Sequence, residues 1–317
     1  MDRVRVGLVG ARGYVGQELC KILARHPGLA LAFVESKTQA GRPVAEHLAG
    51  APDGLRFEEL GPEGVAAKGA DAVVLALSNG QAAPLVAALD HVRPETVIVD
   101  ISADHRCDDG WAYGLPELGR EKLRGARRIA NPGCYATTAA LVVAPVASLL
   151  AAPAQAFGVS GYSGAGATPS PRNDVEALRD NLMPYSLVGH AHERELARHA
   201  GPVRLLPHVA PFFRGIGMTV TLPLDEPIST AALAAFYERA YGGEPLVRLT
   251  RAAPLVRDAA NLPHATLGGI EADPSHPHAV VVCTLDNLLK GAASQAVQNL
   301  NLAFGFPELT GIEPWAT

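Results

Sequence analysis

The sequence predicts an α/β protein of two domains: a doubly wound parallel sheet, then an α+β domain with a mixed sheet. Three observations predict it. The chain opens as strand, glycine-rich turn, helix and strand. Apolar runs of strand length follow, and such runs mark parallel strands buried on both faces. Past residue 150 the strand patterns alternate apolar with polar. The 317 residues suit two domains, since domains usually hold roughly 100–200 residues.

Taken in order, residues 3–9 form the first β-rich run. Gly10, Gly13 and Gly16 follow, then a helix whose Leu19, Ile22 and Leu23 share one face, ended by Pro27 and Gly28. LALAFVE (29–35) is the second strand, which completes a βαβ unit. DAVVLAL (71–77) and TVIVDIS (96–102) are further buried strands. The Ala/Pro-rich stretch 149–158 is the expected junction. It divides a Rossmann-like nucleotide domain (1–150) from an α+β substrate and dimerisation domain (151–290). In the second domain NDVEALRDNL reads as a helix. VRLLPHVAP, GIGMTVTLPL, PLVRLT and HAVVVCTL alternate in the manner of an antiparallel sheet. NLLKGAASQAVQNLNLAF reads as one long helix, about 288–306, that returns to the first domain.

Hydrophobic residues make up 48% and aromatics 5%, an ordinary globular composition, and the net charge is −5. That balance gives no footprint for nucleic acid or an anionic membrane. No apolar run approaches the roughly 20 residues of a membrane span, and the N-terminal stretch lacks the pattern of a signal peptide. The four cysteines, Cys20, Cys107, Cys134 and Cys283, form no C-x-x-C pair. The reading is a protein with no zinc site and no disulfide framework, in a reducing, cytoplasmic setting.

The G-x-x-G-x-x-G spacing over Gly10, Arg12, Gly13, Tyr14, Val15 and Gly16 sits between a strand and a helix. Glycines there permit a tight turn and close approach of a pyrophosphate to the helix N-terminus. Glu35, at the end of the second strand, is the acid an NAD ribose uses. Ser36, Lys37 and Thr38 supply a cation and hydroxyls that suit a 2′-phosphate, and the balance favours NADP.

Asn131-Pro-Gly-Cys134 precedes the apolar helix AALVVAPVASLL, so Cys134 falls at a helix N-terminus. That position favours thiolate and stabilises negative charge on a neighbouring carbonyl oxygen. A thiolate attacks an acyl phosphate, expels phosphate and leaves a reducible thioester. Cys20 and Cys283 lie in apolar patterns and read as inert core. Cys107, among charged loop residues, fits either role. His190 and His192, with Glu195 nearby, are acid/base candidates between which the sequence does not choose.

IANPGCYATTAALVVAP resembles the active-site signature of the N-acetyl-γ-glutamyl-phosphate reductases. GARGYVGQEL, VDISADHR, YGLPEL, SGYSGAGATPS, GHAHERE and DNLLKGAASQAVQNLN resemble the same family in the same order. The resemblance covers residues 6 to about 306. It implies an NADPH-dependent reductive dephosphorylation with Cys134 as nucleophile, an acid/base from the His190/His192 pair, and a homodimer or homotetramer. By the same resemblance, Ser102, Arg106, Asn131 and Arg214 hold substrate phosphate or carboxylate, a strand-end salt bridge being the other reading of Ser102 and Arg106. Ser163, Gly164 and Gly166 flank cofactor and carbonyl, and Gln295 lies on the return helix near the nicotinamide. The chain departs from the family pattern at Ser78-Asn79, at Thr138, at Ala167 after SGAG, after His192, and over LPHATLGGIEAD. Aspartyl phosphate and a carrier-bound aminoadipyl phosphate are the alternative substrates for this chemistry. A non-catalytic NADP-sensing protein is the alternative from another class.

Overall fold

The computed structural model describes residues 3–47 and 51–312. The chain divides into two units. The first runs to Pro132 and resumes at Ala292; the second is Gly133–Gly291.

The first unit begins with β1 (Val4–Val9), α1 (Tyr14–Arg25) and β2 (Leu29–Glu35). It continues through β3 (Phe57–Glu58), α2 (Pro62–Ala67), β4 (Ala72–Leu75), α3 (Ala83–Val92), β5 (Val97–Asp100), β6 (Ala112–Tyr113), α4 (Pro116–Leu123) and β7 (Arg128–Ala130). The strands form a seven-stranded sheet in the order β3-β2-β1-β4-β5-β7-β6. Every pairing is parallel. β4 and β5 are buried at all their residues, which is why they read as continuous apolar runs. The strand order reverses between β1 and β4, the switch point outside whose strand ends α/β sheets bind ligands.

The second unit opens with α5 (Cys134–Val143), whose residues from Tyr135 onward are all buried. A helix apolar all round belongs in a core. β8 (Ala154–Gly161), α6 (Val175–Leu178), β9 (Met183–Pro184), α7 (Ala191–His199), β10 (Val203–Ala210) and β11 (Ile216–Pro223) follow. Then come α8 (Thr230–Tyr241), β12 (Val247–Leu249), α9 (Val256–Ala259), β13 (Ala265–Asp273) and β14 (His278–Leu285). These strands form a second seven-stranded sheet, β12-β13-β14-β11-β8-β10-β9. Burial alternates along β8, β10 and β11, so one face lies on the core and the other outward. α10 (Ala293–Phe304) then rejoins the first unit, against α1, α4 and β5.

The structure departs from the sequence expectations in five places. The division falls at Pro132, not near residue 150, because α5 packs on β8, β11, β14 and α7 of the second sheet. The 288–306 helix starts only at Ala293. Ahead of it the chain turns on the Asp286 carboxylate, which accepts the N–H groups of Leu288 at 2.8 Å and Leu289 at 3.1 Å. NDVEALRDNL shortens to the four residues of α6, and Asp180 then takes a positive φ of 53°. VRLLPHVAP is not wholly antiparallel: β10 pairs parallel with β8 and antiparallel with β9. β12, in PLVRLT, also pairs parallel with β13. The long crossover through α6 and α7 lets β10 return alongside β8 in the same direction.

Candidate active site

The nucleophile candidate sits in the second unit. Cys134 is the first residue of α5, after the extended N-cap Gly133, and is partly exposed. No side chain caps this helix start from the Gly133 position. Instead the carboxylate of Glu195, 2% exposed, accepts the Gly133 N–H at 3.0 Å. Glu195 therefore holds the turn that presents Cys134. Behind the thiol, a Cβ on Gly291 would lie 2.8 Å from Cys134 Cβ and 2.6 Å from Asn287 O. Only glycine fits there.

Both sequence-predicted histidines lie around the ring of Tyr135, at centroid distances of 6.3 Å for His190 and 6.4 Å for His192. They are 4.7 Å from each other. Their positions differ in chemistry. His190 is the N-cap of α7, and its Nδ1 accepts the His192 N–H at 3.2 Å. Burial holds the His190 imidazolium down, and the Arg172 charge adds to this against the opposing pull of Glu193. His190 is therefore a neutral ring whose Nδ1 is occupied.

Two residues join this cluster without a signal in the sequence. Tyr185 lies 5.8 Å from His190, and Arg172 stacks over the Tyr185 ring at 4.9 Å. Burial and then the Cys134 charge raise the Tyr185 phenol far above its ordinary range. The Tyr135 hydroxyl donates to His208 O at 2.7 Å.

The turn at 286–291 gathers other predicted residues of this unit. Asn287 Nδ2 donates to Ser163 Oγ at 2.9 Å, and its Oδ1 accepts the Gly215 N–H at 2.7 Å. A Cβ on Gly164 would meet Ser160 Oγ at 2.7 Å, whereas Gly166, with φ of 81°, faces open space. Arg214 pairs with a buried carboxylate. Its Nε lies 2.6 Å from Asp286 Oδ2 and its Nη1 donates to Asn261 at 2.7 Å.

The dinucleotide turn is in the first unit. Gly10 has φ of 82°, and a side chain there would run into Ala76 O. Gly13 is the N-cap of α1, with no side-chain cap, and a helix start of this kind suits an anion. Arg12 is exposed beside it, and Tyr14 and Val15 are half-buried at the helix start. The Glu35 carboxylate accepts the Gly10 N–H at 3.2 Å. Burial raises its pKa, partly offset by hydrogen bonds from the Gly10 and Lys37 backbones. An acid engaged in this way is less available to a ribose diol. Ser36 is buried, and Lys37 is exposed, 3.7 Å from Glu59. The set fits a dinucleotide, with Lys37 and Arg12 as its cations.

Ser102, Arg106, Asn131 and Gln295 are interior groups of this unit. Ser102 Oγ donates to Asp100 at 2.9 Å, and His105 Nδ1 lies 2.8 Å from the same carboxylate. Arg106 donates to Asn131 O at 2.9 Å and to Ile101 O at 2.7 Å, so it ties the ends of two adjacent strands. Asn131 Oδ1 accepts from Asn299 Nδ2 at 3.0 Å, and Gln295 is wholly buried on α10.

Residues 5–126 match the semialdehyde dehydrogenase NAD binding domain, and residues 134–287 match the semialdehyde dehydrogenase dimerisation domain. Over 308 residues the chain is 54% identical to the N-acetyl-γ-glutamyl-phosphate reductase of Xanthomonas campestris pv. campestris (strain B100), covering 97% of this chain and 98% of the relative. It belongs to the N-acetyl-γ-glutamyl-phosphate reductases. The family's Stenotrophomonas maltophilia (strain R551-3) member is also 54% identical, over 97% of each chain. The Xylella fastidiosa (strain M23) member is 51% identical, over 97% of this chain and 94% of its own. Among solved structures, Vibrio cholerae aspartate semialdehyde dehydrogenase II aligns with a TM-score of 0.77 at 20% identity, covering 96% of this chain and 99% of that one. The Candida albicans aspartate semialdehyde dehydrogenase with NADP aligns at 0.72 and 15% identity, over 95% and 98%. At these identities the likeness is one of fold. Family membership fits a cysteine at a helix start and a glycine turn on separate units.

Proposed function

We propose that the chain reduces N-acetyl-γ-glutamyl phosphate to N-acetylglutamate 5-semialdehyde, with release of phosphate and oxidation of NADPH. The observation that carries the reading is Cys134 at the open start of α5, on a turn held by Glu195, with two histidines around the ring of the next residue, Tyr135.

The Cys134 thiolate attacks the acyl carbon. The S–C bond forms, the C–O bond to phosphate breaks, and phosphate leaves with the electron pair. The α5 N–H groups face the oxygen that gains charge in this step. When bound at Gly10–Gly16, NADPH supplies the hydride that reduces the thioester carbon. His192 is the acid/base: it protonates the carbonyl oxygen, takes the proton back as the C–S bond breaks, and the aldehyde leaves. What supports His192 over its neighbour is that His190 Nδ1 already accepts a backbone N–H and burial keeps that ring neutral. Arg12, Ser36 and Lys37 hold the adenosine end of NADPH, the engaged state of Glu35 favouring the 2′-phosphate.

The reading extends to a cytoplasmic homodimer or homotetramer. What supports self-association is the outward face of the second sheet, where exposed Phe157 packs 4.6 Å from His208. Phe157→Glu is expected to lower the mass measured by light scattering; an unchanged mass would locate association elsewhere.

The test is the reverse reaction: N-acetylglutamate 5-semialdehyde, phosphate and NADP⁺, following NADPH absorbance, with aspartate semialdehyde and NAD⁺ in parallel. Phosphate-dependent turnover that Cys134→Ser abolishes is expected. Turnover with aspartate semialdehyde instead would keep the chemistry and discard the substrate. No turnover from folded, NADP-binding protein would move the weight to a carrier-bound substrate or to a sensing role.

A further inference from the structure

The proposed reaction needs a cation beside Cys134, because its substrate carries a phosphoryl group on the reacting carbonyl and a carboxylate at the far end. Both arginines that the sequence offers hold groups of the protein itself. Arg214 is neutralised by the fully buried Asp286 and braced by Asn261. Arg106 holds two backbone carbonyls in the first unit.

Arg172 differs. It lies on the Pro171–Asn173 turn, exposed, in the same unit as Cys134. The turn is built to hold it in place. Asn173 Oδ1 accepts the Ser170 N–H at 2.7 Å, and Asn173 Nδ2 donates to Gly166 O and Thr168 O, each at 2.7 Å. The guanidinium lies on the Tyr185 ring, 4.9 Å from its centroid, and that ring is 5.8 Å from His190. Among the described residues no carboxylate stands within ion-pair distance of it. Stacking on an aromatic face orients a guanidinium while leaving its in-plane N–H donors for an oxyanion.

We propose that Arg172 is a substrate-binding residue that grips an anionic oxygen group of the substrate, phosphoryl or carboxylate, beside Cys134. Tyr185 is its platform. The electrostatics agree: Arg172 acts on both His190 and Tyr185, and Tyr185 also responds to charge on Cys134. These groups share one local field. The inference rests on the reading under Proposed function for the substrate, but not for the presence of an anion subsite.

Two measurements on the full chain test it, with Arg172→Ala and Arg172→Lys. In the reverse reaction, Arg172→Ala is expected to raise the KM of one anion by roughly tenfold or more, as loss of a charged hydrogen bond does. The KM for NADP⁺ stays unchanged, and Arg172→Lys falls between. A rise for inorganic phosphate assigns the phosphoryl group; a rise for the aldehyde assigns the carboxylate. The second measurement needs no substrate. Cys134 is alkylated with iodoacetate and with iodoacetamide, and the two rates are read by mass spectrometry of its peptide. The ratio of anionic to neutral reagent is expected to fall roughly three- to tenfold in Arg172→Ala. Unchanged KM values and an unchanged ratio, at an unchanged melting temperature, overturn the proposal. If the wild type turns over neither aldehyde, the alkylation ratio alone decides the anion subsite, and the substrate reading fails separately.

Discussion

Glu195 shows how one side chain serves the nucleophile without touching the substrate. Its buried carboxylate fixes Gly133, and Gly133 fixes the start of α5. Glu195→Ala leaves the Gly133 N–H in the interior without this acceptor, at a cost of about 1–3 kcal/mol. Calorimetry is expected to show that loss, and kcat to fall with it while NADP⁺ affinity holds. Equal losses in kcat and NADP⁺ affinity would point to general unfolding instead. The thiols separate by environment in the same way. Burial pushes Cys20 up to about 12 and Cys283 higher still, whereas Cys134 is partly exposed at a helix start. Iodoacetamide is expected to label Cys134 in the native protein, and Cys20 and Cys283 only after denaturant is added.

At the scale of elements, the decisive feature is the turn between β14 and α10. Asp286 caps it, Asn287 bridges it to Ser163 and Gly215, and Gly291 lets it close on Cys134. A continuous helix from 288 would lose these contacts. Gly291→Ala places a methyl group 2.8 Å from Cys134 Cβ, which a backbone contact cannot relieve cheaply. The variant is expected to lose most of its turnover while the first unit still binds NADP⁺ in fluorescence titration. Retained turnover would show that the turn moves freely. The core partner of the same site is α5, whose Val142 carbonyl accepts the buried Tyr237 hydroxyl at 2.8 Å. Tyr237→Phe is expected to cost about 1 kcal/mol in urea unfolding.

Over the whole molecule, three histidines bear on acid stability. Burial lowers His26, His190 and His264, the last to about 4. In the first unit His26 Nδ1 accepts the N–H groups of Gly28 and Leu29, and Nε2 lies 3.0 Å from Asn301 Oδ1. A proton on Nδ1 would oppose both donors. Each ring is held below its unfolded value of about 6.5, so the unfolded chain takes up the proton first. Stability is therefore full above about pH 6.5 and falls as pH drops toward about 4. Melting temperatures across that range test this; a flat profile would contradict it. His26→Gln, which keeps donor and acceptor groups without the titration, is expected to flatten part of the slope.

Local patterns alone determined much of this protein. The opening βαβ unit follows from apolar spacing over a few residues, and the uncapped α1 start from three glycines. Cys134 at a helix start follows from a Pro-Gly turn before an apolar run. Such signals are carried by neighbours along the chain, where periodicity and turn chemistry act. Tertiary structure alone decided the rest. It assigned α5 to the second sheet, set β10 parallel to β8, and broke the last helix at the Asp286 turn. It set Arg106 on the carbonyls of Ile101 and Asn131, set Arg214 on Asp286, and brought Arg172 and Tyr185 to His190. The physical reason is the range of the forces involved. A helix cap or turn is settled within a few residues. The partner of a buried arginine, or the side a burying helix chooses, depends on groups distant in sequence that only the closed fold brings together.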